Sequence, residues 1–120
     1  MRVLVADDSK AMRMIVLRTL RQTGMNVDEV HEAEDGAVAL AAVADFNPDL
    51  ILSDWNMPNK TGIEFLRELR ATGNTTPFGF VTSESNPEMR TIAIEAGASF
   101  LLCKPFDADR FAEVVGAVVG

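Results

Sequence analysis

The sequence predicts an α/β domain built on an open, doubly wound, five-stranded parallel sheet with five helices. Three observations carry that prediction. Short apolar runs alternate with helix-like segments along the whole chain, the pattern of βαβ units. The runs are bunched in apolar residues rather than alternating with polar ones, as strands covered on both faces are. Four runs also end on residues that can do chemistry. Val3 to Ala6 meets Asp7 and Asp8, Leu50 to Ser53 meets Asp54, Phe78 to Val81 meets Thr82, and Phe100 to Cys103 meets Lys104. Neighbouring parallel strands would bring these residues to the carboxyl edge of one sheet, where open α/β sheets place their sites.

Each element has its own local signal. After the first strand, Ser9 suits an N-cap, and Met12, Ile15, Val16 and Leu20 follow helical spacing up to Gly24. Val27 to Ala33 reads as a weaker second strand. Asp35-Gly36 then turns into an Ala-rich helix carrying Val38, Leu40, Ala41 and Ala44, ended by Asn47-Pro48. The third strand carries Asp54. Asn56 to Gly62, with Pro58 in it, reads as a loop, and Ile63, Leu66 and Leu69 mark a third helix closed near Gly73. Pro77 opens the fourth strand, and Pro87 suits the first turn of a fourth helix that ends at Gly97. Lys104-Pro105 leads from the fifth strand into the last helix, with Phe111, Val114, Val115 and Val118 at i, i+3, i+4 and i+7. Five such units are too few for a closed barrel of eight.

Composition narrows the function classes. The 120 residues make one domain, 1–120, the default, and a 48% hydrophobic content suits an ordered core. The single cysteine, Cys103, excludes a disulfide framework within one chain and any multi-cysteine metal cluster, and a cytoplasmic setting is the simple expectation. No apolar stretch approaches the roughly 20 residues of a membrane span. A net charge of -7 disfavours nonspecific nucleic-acid binding, which rests on neutralising phosphates with Lys and Arg. The expected partners are therefore proteins, with no nucleic acid and no membrane.

Three carboxylates at one edge repel one another unless a cation compensates, and oxygen donors without His or Cys suit Mg²⁺. Asp7 and Asp8 alone could equally cap the first helix, but capping accounts for neither Asp54 nor Lys104. A carboxylate such as Asp54 can attack phosphorus to give an aspartyl phosphate, with a metal and an ammonium spreading the charge on the transferring oxygens. In that scheme Asp7 and Asp8 hold the metal, Lys104 contacts the phosphoryl group and Thr82 hydrogen-bonds to it. No Walker-type loop is present, so the donor need not be a nucleotide.

On these residues the chain resembles the response-regulator receiver domains, and among them the chemotaxis regulators. The likeness runs the whole length. It is strongest over Ser53-Asp54-Trp55-Asn56-Met57-Pro58-Asn59 with Gly62, and is supported by Glu32-Ala33-Glu34-Asp35-Gly36 and Lys104-Pro105-Phe106. The resemblance implies a flavodoxin-like sheet of order 2-1-3-4-5 and Asp54 as phosphoacceptor, with a phosphohistidine on a sensor histidine kinase as donor. It implies direct Mg²⁺ ligation by Asp8, help from Asp7 through water, and the Asn56 main-chain carbonyl as a further ligand. Thr82 matches the switch hydroxyl and Lys104 the phosphate-binding lysine, with a cis Lys104-Pro105 bond. Asn56 and Glu84 match positions that tune dephosphorylation. Such domains are signalling modules with intrinsic autophosphorylation and autodephosphorylation rather than classical enzymes. A stand-alone monomer is the expectation, passing its signal to a protein partner through helix 4, strand 5 and helix 5.

The chain departs from the family pattern at that output face. The family often has an aromatic residue three positions before the lysine; here Leu101 stands there and Phe100 is one residue earlier. Strand side chains alternate, so the one-residue move sends the ring to the other face. Phe100 is therefore expected in the core, with Leu101 taking a reduced switch role. Of the presumed output residues, Phe106 matches the motor-binding relatives, whereas Ser85, Pro87, Arg90, Cys103, Asp107 and Val114 do not.

Other readings of the chain remain open at this stage: a receiver cut from a larger regulator, a phosphate sink, a small aspartyl-phosphate phosphohydrolase, and a flavin-binding domain. The phosphohydrolase would normally carry an Asp two residues after the nucleophile, where Asn56 stands; the flavin domain would need a Ser/Thr/Gly-rich loop after the first strand. His31 is expected as a strand surface residue, Cys103 as a small buried one, and the methionines as core filler. Trp55, beside Asp54, should report on the site.

Overall fold

A computed structural model describes residues 1–119. Its elements alternate throughout: β1 (Arg2–Ala6), α1 (Lys10–Gln22), β2 (Glu29–Ala33), α2 (Gly36–Phe46), β3 (Leu50–Ser53), α3 (Gly62–Ala71), β4 (Phe78–Thr82), α4 (Pro87–Ala96), β5 (Phe100–Cys103) and α5 (Ala108–Val119). The five strands form one sheet of order β2-β1-β3-β4-β5, and every pairing is parallel. β2 and β5 are the edges. β2 is shorter than the Val27 to Ala33 run suggested, beginning at Glu29.

Strand alternation divides the core into two layers. One holds Leu4, Ile51, Phe78, Phe80 and Leu101 against α2, α3 and α4. The other holds Val3, Leu52, Val81, Phe100 and Leu102 against α1 and α5, whose buried anchors are Leu20, Phe111 and Val115. The central strands are buried on both faces, which is why their sequences are continuous apolar runs.

Four helices start at the ends of the loops that follow β1, β2, β3 and β4, and a side chain fixes each start. Ser9, Asp35, Thr61 and Asn86 accept hydrogen bonds from the N–H groups of Met12, Val38, Glu64 and Met89. Thr61 and Glu64 make a reciprocal capping box. Their N-termini therefore line the same edge as the carboxyl ends of the strands. α1, α3 and α4 are followed by glycines at positive φ (Gly24, Gly73 and Gly97), and α2 by Asn47 at φ 52°.

Three expectations from the sequence are corrected. Ile15 is exposed, as is Met14 at 52%, whereas Leu17 and Thr19 are buried. α1 carries apolar residues at Met12, Met14, Ile15, Val16, Leu17 and Leu20, nearly all round, so spacing alone selected the wrong flank. Met14 also breaks the expectation that the methionines fill the core, although Met57 meets it. Cys103 is exposed rather than buried. It is the last residue of an edge strand, and its thiol lies beside the carbonyls of Ser83 and Lys104 where no helix covers it. His31 is an exposed residue of edge strand β2, as expected, with its ring 5.4 Å from that of Phe46. No helix among the described residues is long and apolar enough to cross a membrane.

Candidate functional site

The register of the sheet builds the site. Ala6 pairs with Ala33 on one side and Ser53 on the other, so β1, β2 and β3 stop at the same level. The chain then continues as an extra rung: the Asp7 N–H donates to Ala33 O at 3.0 Å, and the Asp54 N–H to Ala6 O at 2.8 Å. At β4 and β5 the same step recurs, with the Lys104 N–H donating to Thr82 O at 2.8 Å. The predicted residues therefore do meet at one edge.

Asp7, Asp8 and Asp54 each bring a carboxylate oxygen within 4.8 Å of the others. Asp7 is buried, Asp54 is partly covered and Asp8 faces solvent. Lys104 reaches in from β5: its Nζ donates to Asp7 Oδ2 at 3.1 Å and stands 3.6 Å from Asp54 Oδ2. The Lys104-Pro105 bond is cis, as the family resemblance implied. Asp7 and Asp54 are further tied to nearby main chain. The Ser9 N–H donates to Asp7 Oδ1, and the Trp55 N–H to Asp54 Oδ1 at 2.7 Å.

Burial pushes the Asp7 carboxyl above its usual value. The Ser9 N–H and the Lys104 charge pull it back, while the Asp54 charge pushes it further up. Three carboxylates share one ammonium, so negative charge is left uncompensated. The donors are all carboxylate oxygens with no His or Cys, a set that fits a small, hard divalent cation.

The remaining predicted residues lie around this centre. Thr82 is fully buried at the end of β4, and its hydroxyl accepts from the Glu84 N–H at 3.4 Å rather than bonding a carboxylate. Asn56 and Glu84 are exposed in the loops after β3 and β4. Trp55 packs against Phe80 with ring centroids 4.8 Å apart, which couples it to the core beneath the site. Phe106 is half-buried against Phe111.

The register also settles the placement of Phe100 and Leu101. Leu101 pairs with Phe80 in the α3/α4 layer, on the Thr82 face, and is buried. Phe100 pairs with Gly79 and enters the α1/α5 layer. A Cβ at Gly79 would collide with the Phe100 ring, so the glycine is what lets this ring lie flat on β4. That pairing went unread in the sequence, although Gly79 inside a strand was the signal for a close approach.

Two more residues were missed. Arg13 donates to Asp7 O at 2.6 Å and to Glu32, strapping the end of β1 to β2. Asn59 donates to Asp35 Oδ2 at 2.7 Å. That bond and the Val38 N–H, the stronger influence, hold the Asp35 carboxyl below its usual range.

Known proteins resemble the chain on both counts, sequence and fold. A family model described as the response regulator receiver domain matches residues 3–116. The chemotaxis protein CheY of Pseudomonas aeruginosa is 36% identical over 117 residues, covering 96% of this chain and 93% of that protein. The response regulator MprA of Mycobacterium avium is 38% identical over 106 residues, covering 88% of this chain but 45% of MprA. The structure of the chemotaxis response regulator CheY4 of Vibrio cholerae superposes with a TM-score of 0.83 at 36% identity, covering 97% of this chain and 96% of that one. With its sheet order, its acidic edge and these relatives in agreement, the chain belongs to the response regulator receiver domain family.

Proposed function

We propose that this receiver domain is phosphorylated on Asp54 by a sensor histidine kinase and signals by a phosphorylation-dependent change in protein binding. The observation that carries the reading is the position of Lys104, whose ammonium stands between Asp7 and Asp54 at the sheet edge. The Asp54 carboxylate oxygen forms a bond to phosphorus as the donor's P–N bond breaks, and the imidazole nitrogen keeps the electron pair. The group moves from nitrogen to oxygen without change in oxidation state. Lys104 would neutralise oxygens of the transferring group; its Nζ 3.6 Å from Asp54 Oδ2 supports that role.

Asp7, Asp8, Asp54 and the Asn56 carbonyl would hold Mg²⁺, which when bound supplies positive charge to the phosphoryl oxygens. The Thr82 hydroxyl would donate a hydrogen bond to the new phosphate. Drawing it inward would shift the β4–α4 loop and bias α4, β5 and α5 towards a partner-binding form. Leu101 lies beside it in this scheme and Phe106 on the surface beyond; Asn56 and Glu84 flank the phosphate and tune its loss. Likeness to two chemotaxis proteins over nearly their whole length supports a chemotactic setting, and the domain in this reading acts as a cytoplasmic monomer.

Radiolabelled acetyl phosphate tests this reading. Label should enter in Mg²⁺, stay out in EDTA and be released by hydroxylamine, as an acyl phosphate is. Continuous release of phosphate from a phosphomonoester would instead favour the phosphohydrolase reading.

A further inference from the structure

The segment between Asp54 and Gly62 is anchored at two places, and one anchor uses side chains to which the phosphotransfer scheme gives no part. Near its end, the Gly62 N–H donates to Trp55 O at 2.9 Å, and the missing Cβ of Gly62 leaves room for the Asp54 carbonyl. Across the sheet edge, the Gly36 N–H donates to Lys60 O at 3.0 Å, where a Cβ on Gly36 would collide with that carbonyl. Beside this contact, Asn59 Nδ2 donates to Asp35 Oδ2 at 2.7 Å. Asn56 lies between the two anchors and is exposed.

The Asn59–Asp35 bond does more than either residue needs locally. Asp35 is only 4% exposed and caps α2 through Oδ1, which accepts from the Val38 N–H at 2.8 Å. Capping leaves Oδ2 unused, and Asn59 takes it. Asn59 has φ 65°, a left-handed conformation that Asn tolerates and Gly adopts freely. A glycine would satisfy the backbone there; only an amide also reaches Asp35. The bond joins the turn after β2 to the loop after β3, across β1, the strand that leads into Asp7 and Asp8.

We propose that Asn59 and Asp35 are positioning residues: their hydrogen bond presets the main chain carrying Asn56 and so sets the affinity of the acidic site for Mg²⁺. The inference rests on the reading that Asp7, Asp8, Asp54 and Asn56 hold that ion. Its physical basis is preorganisation, since a ligand on a loop already fixed loses less conformational freedom on binding. Groups bonded directly to a metal's ligands set affinity by about 10–100-fold in other sites; the Asn59–Asp35 bond acts one step further out, through the main chain, and is expected at the low end of that range.

The test is a Mg²⁺ titration of the intact chain by calorimetry and Trp55 fluorescence, with thermal melts in EDTA to confirm folding. Asn59→Gly keeps the left-handed backbone and removes the amide; Asp35→Ser keeps a cap and loses the reach to Asn59. Each should weaken Mg²⁺ binding by about tenfold, and the double variant should bind no more weakly than the weaker single. Asp35→Asn removes the charge but can rebond to a flipped Asn59 amide, so it should bind like wild type. Wild-type affinity in Asn59→Gly and Asp35→Ser would overturn the clamp. So would equal losses in Asp35→Asn and Asp35→Ser, because charge alone would then explain them. An absence of any saturable Mg²⁺ response in the wild type would instead sink the assignment of the ion site, and the clamp with it.

Discussion

The carboxylate edge and the β5 face lie one strand apart and are built on different terms. At the edge, Asp7 and Asp54 follow β1 and β3, which are flanked by strands on both sides and buried on both faces. Their positions are extra rungs of the ladder, so the geometry is fixed before any ligand arrives. β5 has a neighbour on one side only. Its single ring, Phe100, is committed to the α1/α5 core by Gly79, and its last residue, Cys103, faces solvent. The carboxylates of the proposed scheme rest on the more constrained backbone, whereas Lys104 and the proposed output face belong to the edge strand β5.

Substitutions can break that comparison or sharpen it. The largest effect is expected at Lys104. Lys104→Ala removes the ammonium beside Asp7 and Asp54 and should slow phosphorylation by acetyl phosphate by about 10²-fold, the typical loss for one charge-stabilising donor. A stopped-flow rate within threefold of wild type would show that the edge works without it.

Next comes the Gly79–Phe100 pair. Gly79→Ala places a methyl against the ring and should cost about 1–3 kcal/mol in chemical denaturation, the range for overpacking a core. Adding Phe100→Leu should recover part of that loss, because the two side chains share one space. Phosphorylation should continue in both variants at temperatures where they are folded. If it fails there, the two regions are not separable.

A smaller effect is expected from Asp7, read through pH. Burial raises its folded-state carboxyl above the ordinary value of 3.8. The folded chain therefore holds this proton more tightly than the unfolded one. The resulting stability is fully present below the unfolded value and is lost as pH rises through the higher folded value. At neutral pH the ionised Asp7 is a net strain, so Asp7→Asn should raise Tm in EDTA, with the gain fading on acidification. A Tm lowered at pH 7 would mean that the Lys104 pair outweighs burial. The smallest effect is at Cys103: Cys103→Ser should change stability by less than about 0.5 kcal/mol, as exposed substitutions do.

The same divide governed what could be read from sequence. The strands, the cap at Ser9 and the residues closing each strand are local signals, and parallel pairing alone brought Asp7, Asp54, Thr82 and Lys104 together, whereas Asp35 was read as a turn and proves to be a cap. The capping box of Thr61 and Glu64 was equally local and went unread. Exposure of Cys103 was hidden because an apolar run does not show where its covering helix ends. The burial of Leu17 instead of Ile15 was hidden because α1 is apolar on several flanks. The Asn59–Asp35 bond spans 24 residues between two loops, and no periodicity marks such a pair.

The central claim is that the constrained edge directs a phosphoryl group to one carboxylate. Intact-mass measurement of the wild type and Asp54→Asn, each incubated with acetyl phosphate and Mg²⁺, tests it most directly. The account predicts a gain of one phosphoryl group in the wild type and none in Asp54→Asn. The same gain in both proteins, or no gain in the wild type, would contradict it.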